Sequence, residues 1–350
     1  MPLDKHSKKE TLLDNITVLG AGSWGTSLAN VLADNGFEAK LWVYEKDLAE
    51  EIRLRHENPI YLPGIPLSEK IIPLNSIEDA CKNAKIIVSV IPSQYVRNIL
   101  NQAKEYIEPG TIFVSASKGI ENITLLTMSK IFYQIFAERS DIKFTALGGP
   151  TFAAEVGKKF PTVTVLAAED HVVGTYVQRI LSNKYFRVYT NDDLTGVELG
   201  GAIKNVMAIA AGITAGLECG HNTLAALITR GIAEMSRLGI AMGAKLLTFA
   251  GLAGIGDLVL TCTGDLSRNR SVGMKIAKGM KLDEILKDMK MVAEGIKTAE
   301  SVVGLTKKYN VEMPICEQVY EVLFKNKEPK QAISDLMGRD LKSEFQEGLL

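Results

Sequence analysis

In the first half of the chain, short runs of apolar and mostly β-branched residues alternate with amphipathic stretches. The runs Ile16–Leu19, Ala39–Val43, Ile86–Val90, Ile112–Ser115, Phe144–Leu147, Thr162–Ala167 and Phe186–Tyr189 read as strands. Helix-like segments such as Tyr95–Tyr106 and Ile123–Phe136 lie between several of them. An unbroken apolar run such as Ile86-Ile87-Val88-Ser89-Val90 suits a parallel strand covered on both faces. Strand and helix in alternation predict a doubly wound, mostly parallel α/β sheet.

After about Asp193 the strand signal stops. Residues rich in Ala, Gly, Leu and Met follow, with helical spacing over Glu198–Gly216, Thr223–Leu238, Ser271–Lys278, Ala299–Tyr309 and Pro314–Phe324. The pattern divides the chain into a polar, disordered lead-in (1–15), a sheet domain (16–192) and an all-helical domain (193–350). A substrate held in the cleft between two such domains is the natural layout.

The turn after the first run reads Gly20-Ala21-Gly22-Ser23-Trp24-Gly25. In a Gly-x-Gly-x-x-Gly turn the first glycine permits the bend and the second lets backbone N–H groups approach a pyrophosphate. The third lets helix pack on strand. The phosphates then meet the positive end of the helix dipole. The helix that follows stops at Asn35-Gly36, and Glu45 ends the second run where such folds carry an acid for the adenosine ribose. Strand, helix, cap and acid in register point to a Rossmann-like dinucleotide site.

Composition narrows the field. The chain has 350 residues, long for one domain, and 46% of them are apolar. Lys plus Arg (40) nearly equals Asp plus Glu (41), which gives no sign of a nucleic-acid partner or an anionic membrane. Cys81, Cys219, Cys262 and Cys316 are widely spaced, without metal-ligand pattern, and suit a reduced cytoplasm. His6, His56, His171 and His221 show no ligand spacing either, so no metal is expected. The first ten residues lack the apolar core of a signal peptide. Leu246 to Cys262 is short for a bilayer span and is interrupted by Asp257 and three glycines, so no membrane insertion is expected.

Several polar groups stand where chemistry could occur. Lys118 follows a strand, at the carboxyl edge where ligands bind in open α/β sheets; it is otherwise an exposed loop lysine. Gly148-Gly149-Pro150-Thr151 has the same placement, as a ligand loop or a plain strand-to-helix turn. Lys204 and Asn205 sit in a helix of small and apolar residues. Burial there would lower the lysine pKa and suit a proton donor near neutral pH, unless the side chain snorkels out or pairs with Glu198. Asp257, in a glycine-rich apolar stretch, needs a partner such as Lys204 or is a helix cap. Ser267 can cap the helix that follows. Arg268 and Asn269 then either meet a phosphate at its N-terminus or stay solvated.

Taken in order, these segments resemble the bacterial-type NAD(P)-dependent glycerol-3-phosphate dehydrogenases. The likeness runs from about Ile16 to Met337 and also takes in Asn58-Pro59-Ile60-Tyr61-Leu62-Pro63-Gly64 and Val292-Ala293-Glu294-Gly295. The resemblance implies that Ser23, Trp24, Lys118, Ala153, Arg268, Val292 and Glu294 contact NAD(H) or NADP(H). It implies that Lys118, Gly149, Thr151, Lys204, Asp257, Ser267, Arg268 and Asn269 contact substrate, with Lys204 as acid/base. The family reaction reduces dihydroxyacetone phosphate to sn-glycerol 3-phosphate, the backbone precursor of phospholipids, and the family usually forms homodimers. One departure stands out: many NADP-accepting relatives carry Arg just after the second strand, where this chain reads Tyr44-Glu45-Lys46. Glu45 disfavours a 2′-phosphate and Lys46 partly offsets it, so both cofactors are expected to be accepted. The competing readings are a β-hydroxyacid dehydrogenase with a lysine acid/base and a non-catalytic nucleotide sensor.

Overall fold

Every apolar run read as a strand becomes one in the computed structural model, which describes residues 15–289, 292–341 and 343–344. Of the lead-in expected over 1–15, all but Asn15 lies outside the described residues. The strands are β1 (Ile16–Leu19), β2 (Ala39–Trp42), β3 (Glu57–Asn58), β4 (Leu62–Pro66) and β5 (Ile71–Leu74), then β6 (Ile86–Ser89), β7 (Ile112–Ser115), β8 (Lys143–Gly148), β9 (Thr162–Ala168) and β10 (Phe186–Asn191). Eight of them form one sheet in the order β10-β9-β8-β7-β6-β1-β2-β5, while β3 and β4 make a separate hairpin. All sheet neighbours are parallel except β8 and β9, which the chain joins by turning back through a five-residue helix instead of crossing over. Strand β5, with Pro73 in it, was not legible as a strand. It lies at the sheet edge, where a missing backbone N–H is tolerated.

Helices α1 (Ser23–Asp34), α2 (Lys46–Arg55), α3 (Ile77–Cys81), α4 (Val96–Ala103), α5 (Met128–Ile135), α6 (Ala153–Gly157) and α7 (His171–Leu181) accompany the sheet. After β10 the described chain is helical: α8 (Leu194–Gly216), α9 (Gly220–Ala241), α10 (Leu246–Phe249), α11 (Asp257–Thr263), α12 (Arg268–Ala277), α13 (Leu282–Asp288), α14 (Glu294–Tyr309), α15 (Pro314–Phe324) and α16 (Pro329–Met337). The segment expected as a helix from Ile123 begins only at Met128. Leu125 takes a left-handed backbone (φ 58°), which no α-helix accommodates.

Helix α8 is buried continuously from Gly196 to Thr214, and an apolar cluster of the helical part surrounds it. Its first turn packs elsewhere: Leu194 and Val197 join Phe113, Phe132 and Phe144 in the cluster on one face of the sheet. One helix therefore links the sheet to the helical core, and its polar residues are held at the junction. By length and composition, Leu194–Gly216 and Leu246–Thr263 could each cross a bilayer. The first is the core helix just described, with 89% of its apolar window buried, and the second is broken into three helical pieces.

Candidate active site

Strand β1 lies between β2, reached through α1, and β6, reached later on its other side. Their carboxyl ends form the switch point at which open α/β sheets bind ligands. The three glycines of the turn there have different reasons to be glycine. Gly20 has φ +111°, and a Cβ on it would lie 2.9 Å from the Val90 carbonyl oxygen. A Cβ on Gly25 would run into the Gly20 carbonyl oxygen. A Cβ on Gly22 would meet no protein atom within 4 Å. Gly22 thus opens space that the fold itself does not need.

No side chain caps the N-terminus of α1 at Gly22, and the buried indole N–H of Trp24 has no hydrogen-bond partner. Open space, free helix N–H groups and an unpaired buried donor fit a dinucleotide pyrophosphate. The loop is locked from behind. Asn58, fully buried, donates to the Ala21 oxygen at 2.8 Å and to Thr26 Oγ1 at 2.9 Å. Ser27 donates to the oxygen of Ala153 at 2.8 Å, which ties α1 to α6. Glu45, after β2, is exposed and accepts from the Tyr61 hydroxyl at 2.8 Å. Lys46 beside it is also exposed.

Where the sheet meets the helical half, three charged side chains converge. Lys118, after β7, donates to the Gly149 oxygen at 3.1 Å, to Thr151 Oγ1 at 3.3 Å and to Asp257 Oδ2 at 2.9 Å. Lys204, on α8, donates to Asp257 Oδ1 at 2.5 Å and to Thr261 Oγ1 at 2.9 Å. Asp257 is wholly buried. Both its oxygens are taken, one by a lysine of the sheet half and one by a lysine of the helical half. Burial lowers the Lys204 ammonium to about 8; Asp257 opposes this and the Lys118 charge adds to it. Two ammonium groups on one carboxylate leave the cluster net positive, poised for an anion.

Asp257 owes its aim to an irregular turn. The Leu252–Gly256 segment is π-helical, with the Gly256 N–H reaching the Gly251 oxygen five residues back, and α11 begins directly after it. Asp257 is thus the first residue of a helix and an ion-pair partner, and Gly256 takes the cap position. Glu198 is not the partner of Lys204. It accepts from the N–H and hydroxyl of Ser129 at 2.6 and 2.5 Å, at the start of α5.

Ser267 caps α12 by accepting from the Arg270 N–H, and Arg268 follows it, exposed, as the first helical residue. Asn269 is a strut: it donates to Asn205 Oδ1 and accepts from the Gly295 N–H, both at 3.0 Å. Glu294, at the start of α14, accepts from the Ser93 N–H at 3.1 Å and the Ser93 hydroxyl at 2.6 Å, while Val292 just before it is exposed. Burial raises the Glu294 carboxyl, and the Ser93 bonds and the Arg268 charge oppose the rise.

Residues 15–173 match the family model of the NAD-dependent glycerol-3-phosphate dehydrogenase N-terminus, and residues 193–334 match that of its C-terminus. The chain belongs to this family. A glycerol-3-phosphate dehydrogenase (NAD(P)+) of Geobacter sulfurreducens is 54% identical over 95% of this chain and 99% of its own. One of Citrifermentans bemidjiense is 53% identical with the same coverage. The crystal structure of glycerol-3-phosphate dehydrogenase from Coxiella burnetii covers 93% of this chain and 99% of its own, with TM-score 0.89 and 36% identity.

Family membership makes the chain an NAD(P)-dependent oxidoreductase with a Rossmann-like sheet and a helical second half. Four residues at the site escaped the reading of the sequence. Thr261 lies four residues after Asp257 and so on the same helical face, a spacing that could have flagged it. Asn58 and Tyr61 stand in a quoted motif, but nothing local tells that they brace the glycine loop and Glu45. Ser93 carries no sequence signal at all. All four cysteines are free, and among the described residues no group of His, Cys, Asp and Glu is arranged to hold a metal.

Proposed function

We propose that the Lys204–Asp257–Lys118 cluster carries out the family reaction, the reversible NAD(P)H-dependent reduction of dihydroxyacetone phosphate to sn-glycerol 3-phosphate. The observation that carries this reading is the wholly buried Asp257 carboxylate shared by two lysines, one from each half of the chain. A bound dihydronicotinamide supplies the hydride. As the ketone is reduced, negative charge develops on its oxygen, and Lys204 Nζ donates the proton that neutralises it. Asp257 holds Lys204 in line and offsets part of its burial cost, while Thr261 fixes a second direction of the same nitrogen. Lys118 adds positive potential from the sheet side. In the reverse direction the neutral amine of Lys204 takes the proton from the alcohol.

Arg268 and the N-terminus of α12 would hold the substrate phosphate, with Ser267 and Asn269 fixing that turn and Gly149 and Thr151 lining the loop opposite. Gly20, Gly22, Ser23, Trp24 and Gly25 would cradle the pyrophosphate, with Glu45 at the ribose and Ala153, Lys118, Arg268, Val292 and Glu294 along the remainder of the nucleotide. On this reading the sheet unit (16–192) serves the nucleotide and the helical unit (193–350) the substrate. The enzyme works as a homodimer in a reduced cytoplasm, with phospholipid synthesis as the consumer of its product. The test is the decay of nicotinamide absorbance on adding dihydroxyacetone phosphate, with NADH and NADPH in parallel. Oxidation with either supports the reading. No oxidation by folded protein that still binds nucleotide overturns it and favours a hydroxy-acid substrate or a sensor.

A further inference from the structure

Glu45 stands exposed directly before α2 and makes no cap bond to that helix. Among the described residues its hydrogen-bond donor is the Tyr61 hydroxyl, 2.8 Å from Oε1. A surface glutamate with no such partner samples several rotamers, and ordering it on binding has an entropic cost. Tyr61 is itself anchored, since its N–H donates to Asn58 Oδ1 at 3.0 Å and Asn58 donates to the Ala21 oxygen inside the glycine turn. One hydrogen-bonded chain, Ala21–Asn58–Tyr61–Glu45, thus joins the turn read as the pyrophosphate site to the acid read as the ribose site.

We propose that Tyr61 is a specificity-determining positioning residue, which fixes the Glu45 carboxylate so that the site favours a free ribose 2′-hydroxyl over a 2′-phosphate. The proposal rests on the reading of Glu45 as the ribose acid. With Oε1 occupied by the phenol, Oε2 is left to accept from a ribose hydroxyl. A 2′-phosphate at the same place would meet a carboxylate that cannot turn away. Tyr61 stays a donor throughout the working pH range, because burial and then its hydrogen bond to Glu45 push its phenol up to about 12. Lys46, adjacent and exposed, would draw a 2′-phosphate once Glu45 is free to move.

The test is binding, read by nucleotide fluorescence on the full chain, for NADH and NADPH with wild type, Tyr61→Phe, Glu45→Gln and the double variant. Tyr61→Phe should weaken NADH about threefold to tenfold and leave NADPH within about twofold or tighter. Glu45→Gln should shift the NADH/NADPH ratio in the same direction, and the double variant should go no further than Glu45→Gln alone. A Tyr61→Phe change that weakens both nucleotides equally marks a structural role and overturns the proposal, as does an additive double variant. If Glu45→Gln leaves the ratio unmoved, the ribose reading of Glu45 fails and the proposal falls with it.

Discussion

Lys204 Nζ lies 2.5 Å from Oδ1 of Asp257, a residue with no solvent exposure. Two charges taken out of water this far are expensive unless they are paired and their remaining valences are filled. Here Thr261 accepts a second N–H of Lys204, and Lys118 donates to the second oxygen of Asp257. The pair sits where α8 joins the sheet to the helices, with Lys118 reaching it from the sheet side.

Lys204, lowered to about 8, sets a pH dependence with opposite signs in the two directions. Reduction needs the ammonium, so its kcat/KM should be level at lower pH and fall as pH rises through about 8. Oxidation of glycerol 3-phosphate needs the amine and should rise through the same range. Asp257 raises the lysine, so Asp257→Asn should move both limbs to lower pH while reducing the rate. Limbs that stay in place in that variant would show that Lys204 is not the titrating group.

Substituting Lys204→Ala should lower kcat for dihydroxyacetone phosphate reduction by about 10²–10⁴-fold, the range for loss of a positioned general acid. NADH binding, measured by fluorescence, should survive. Loss of binding together with activity would place the lysine in nucleotide recognition instead.

The glycine turn separates fold from ligand. Gly22→Ala puts a methyl group into open space and should leave the melting temperature near wild type while weakening NADH binding by about tenfold or more. Gly25→Ala drives a Cβ onto the Gly20 carbonyl and should destabilise the sheet half itself. Thermal melts and nucleotide titrations on the two variants test this, and matching behaviour would contradict it.

Two buried carboxyls should make stability fall as pH rises. Glu198 on α8 and Glu234 on α9 accept N–H bonds from the first turns of α5 and α15, yet burial raises both from 4.5 to about 7. Below 4.5 the folded and unfolded chains both hold the protons. Between there and about 7 only the folded chain does, so raising pH through that window favours unfolding. Above it both carboxylates are charged and a constant penalty remains. Glu198→Gln keeps an oxygen for the Ser129 N–H and should flatten part of this slope, with a gain on the order of 1–3 kcal/mol at the alkaline end. Calorimetric melts across about pH 5 to about pH 8 would read it, and a slope unchanged in Glu198→Gln would count against it.

The legible part of the molecule was what local pattern encodes. Buried parallel strands such as β6 announce themselves because both faces are apolar, and the Gly20–Gly25 turn because backbone constraints leave few alternatives. The antiparallel direction of β9 was not legible, since strand direction depends on how the intervening chain packs. The meeting of Lys118 with Asp257, 139 residues apart, was not legible from local pattern either; only the fold brings a sheet edge and a helix start together. Tyr61 was quoted within a motif, but its bond to Glu45 depends on where the β3–β4 hairpin swings.

The wide turn at Leu252–Gly256 carries a lesson about insertions and deletions. A π-helical turn holds one more residue than its α-helical counterpart, and an α-helix turns about 100° per residue. Deleting one residue from this glycine-rich turn would regularise the helix and swing Asp257 round its axis, away from both lysines. This turn is therefore fixed in length as well as in side-chain size, since a Cβ on Gly254 would run into the Phe249 backbone. A chain shortened by one residue here would leave Lys204 and Lys118 with no counter-charge between them.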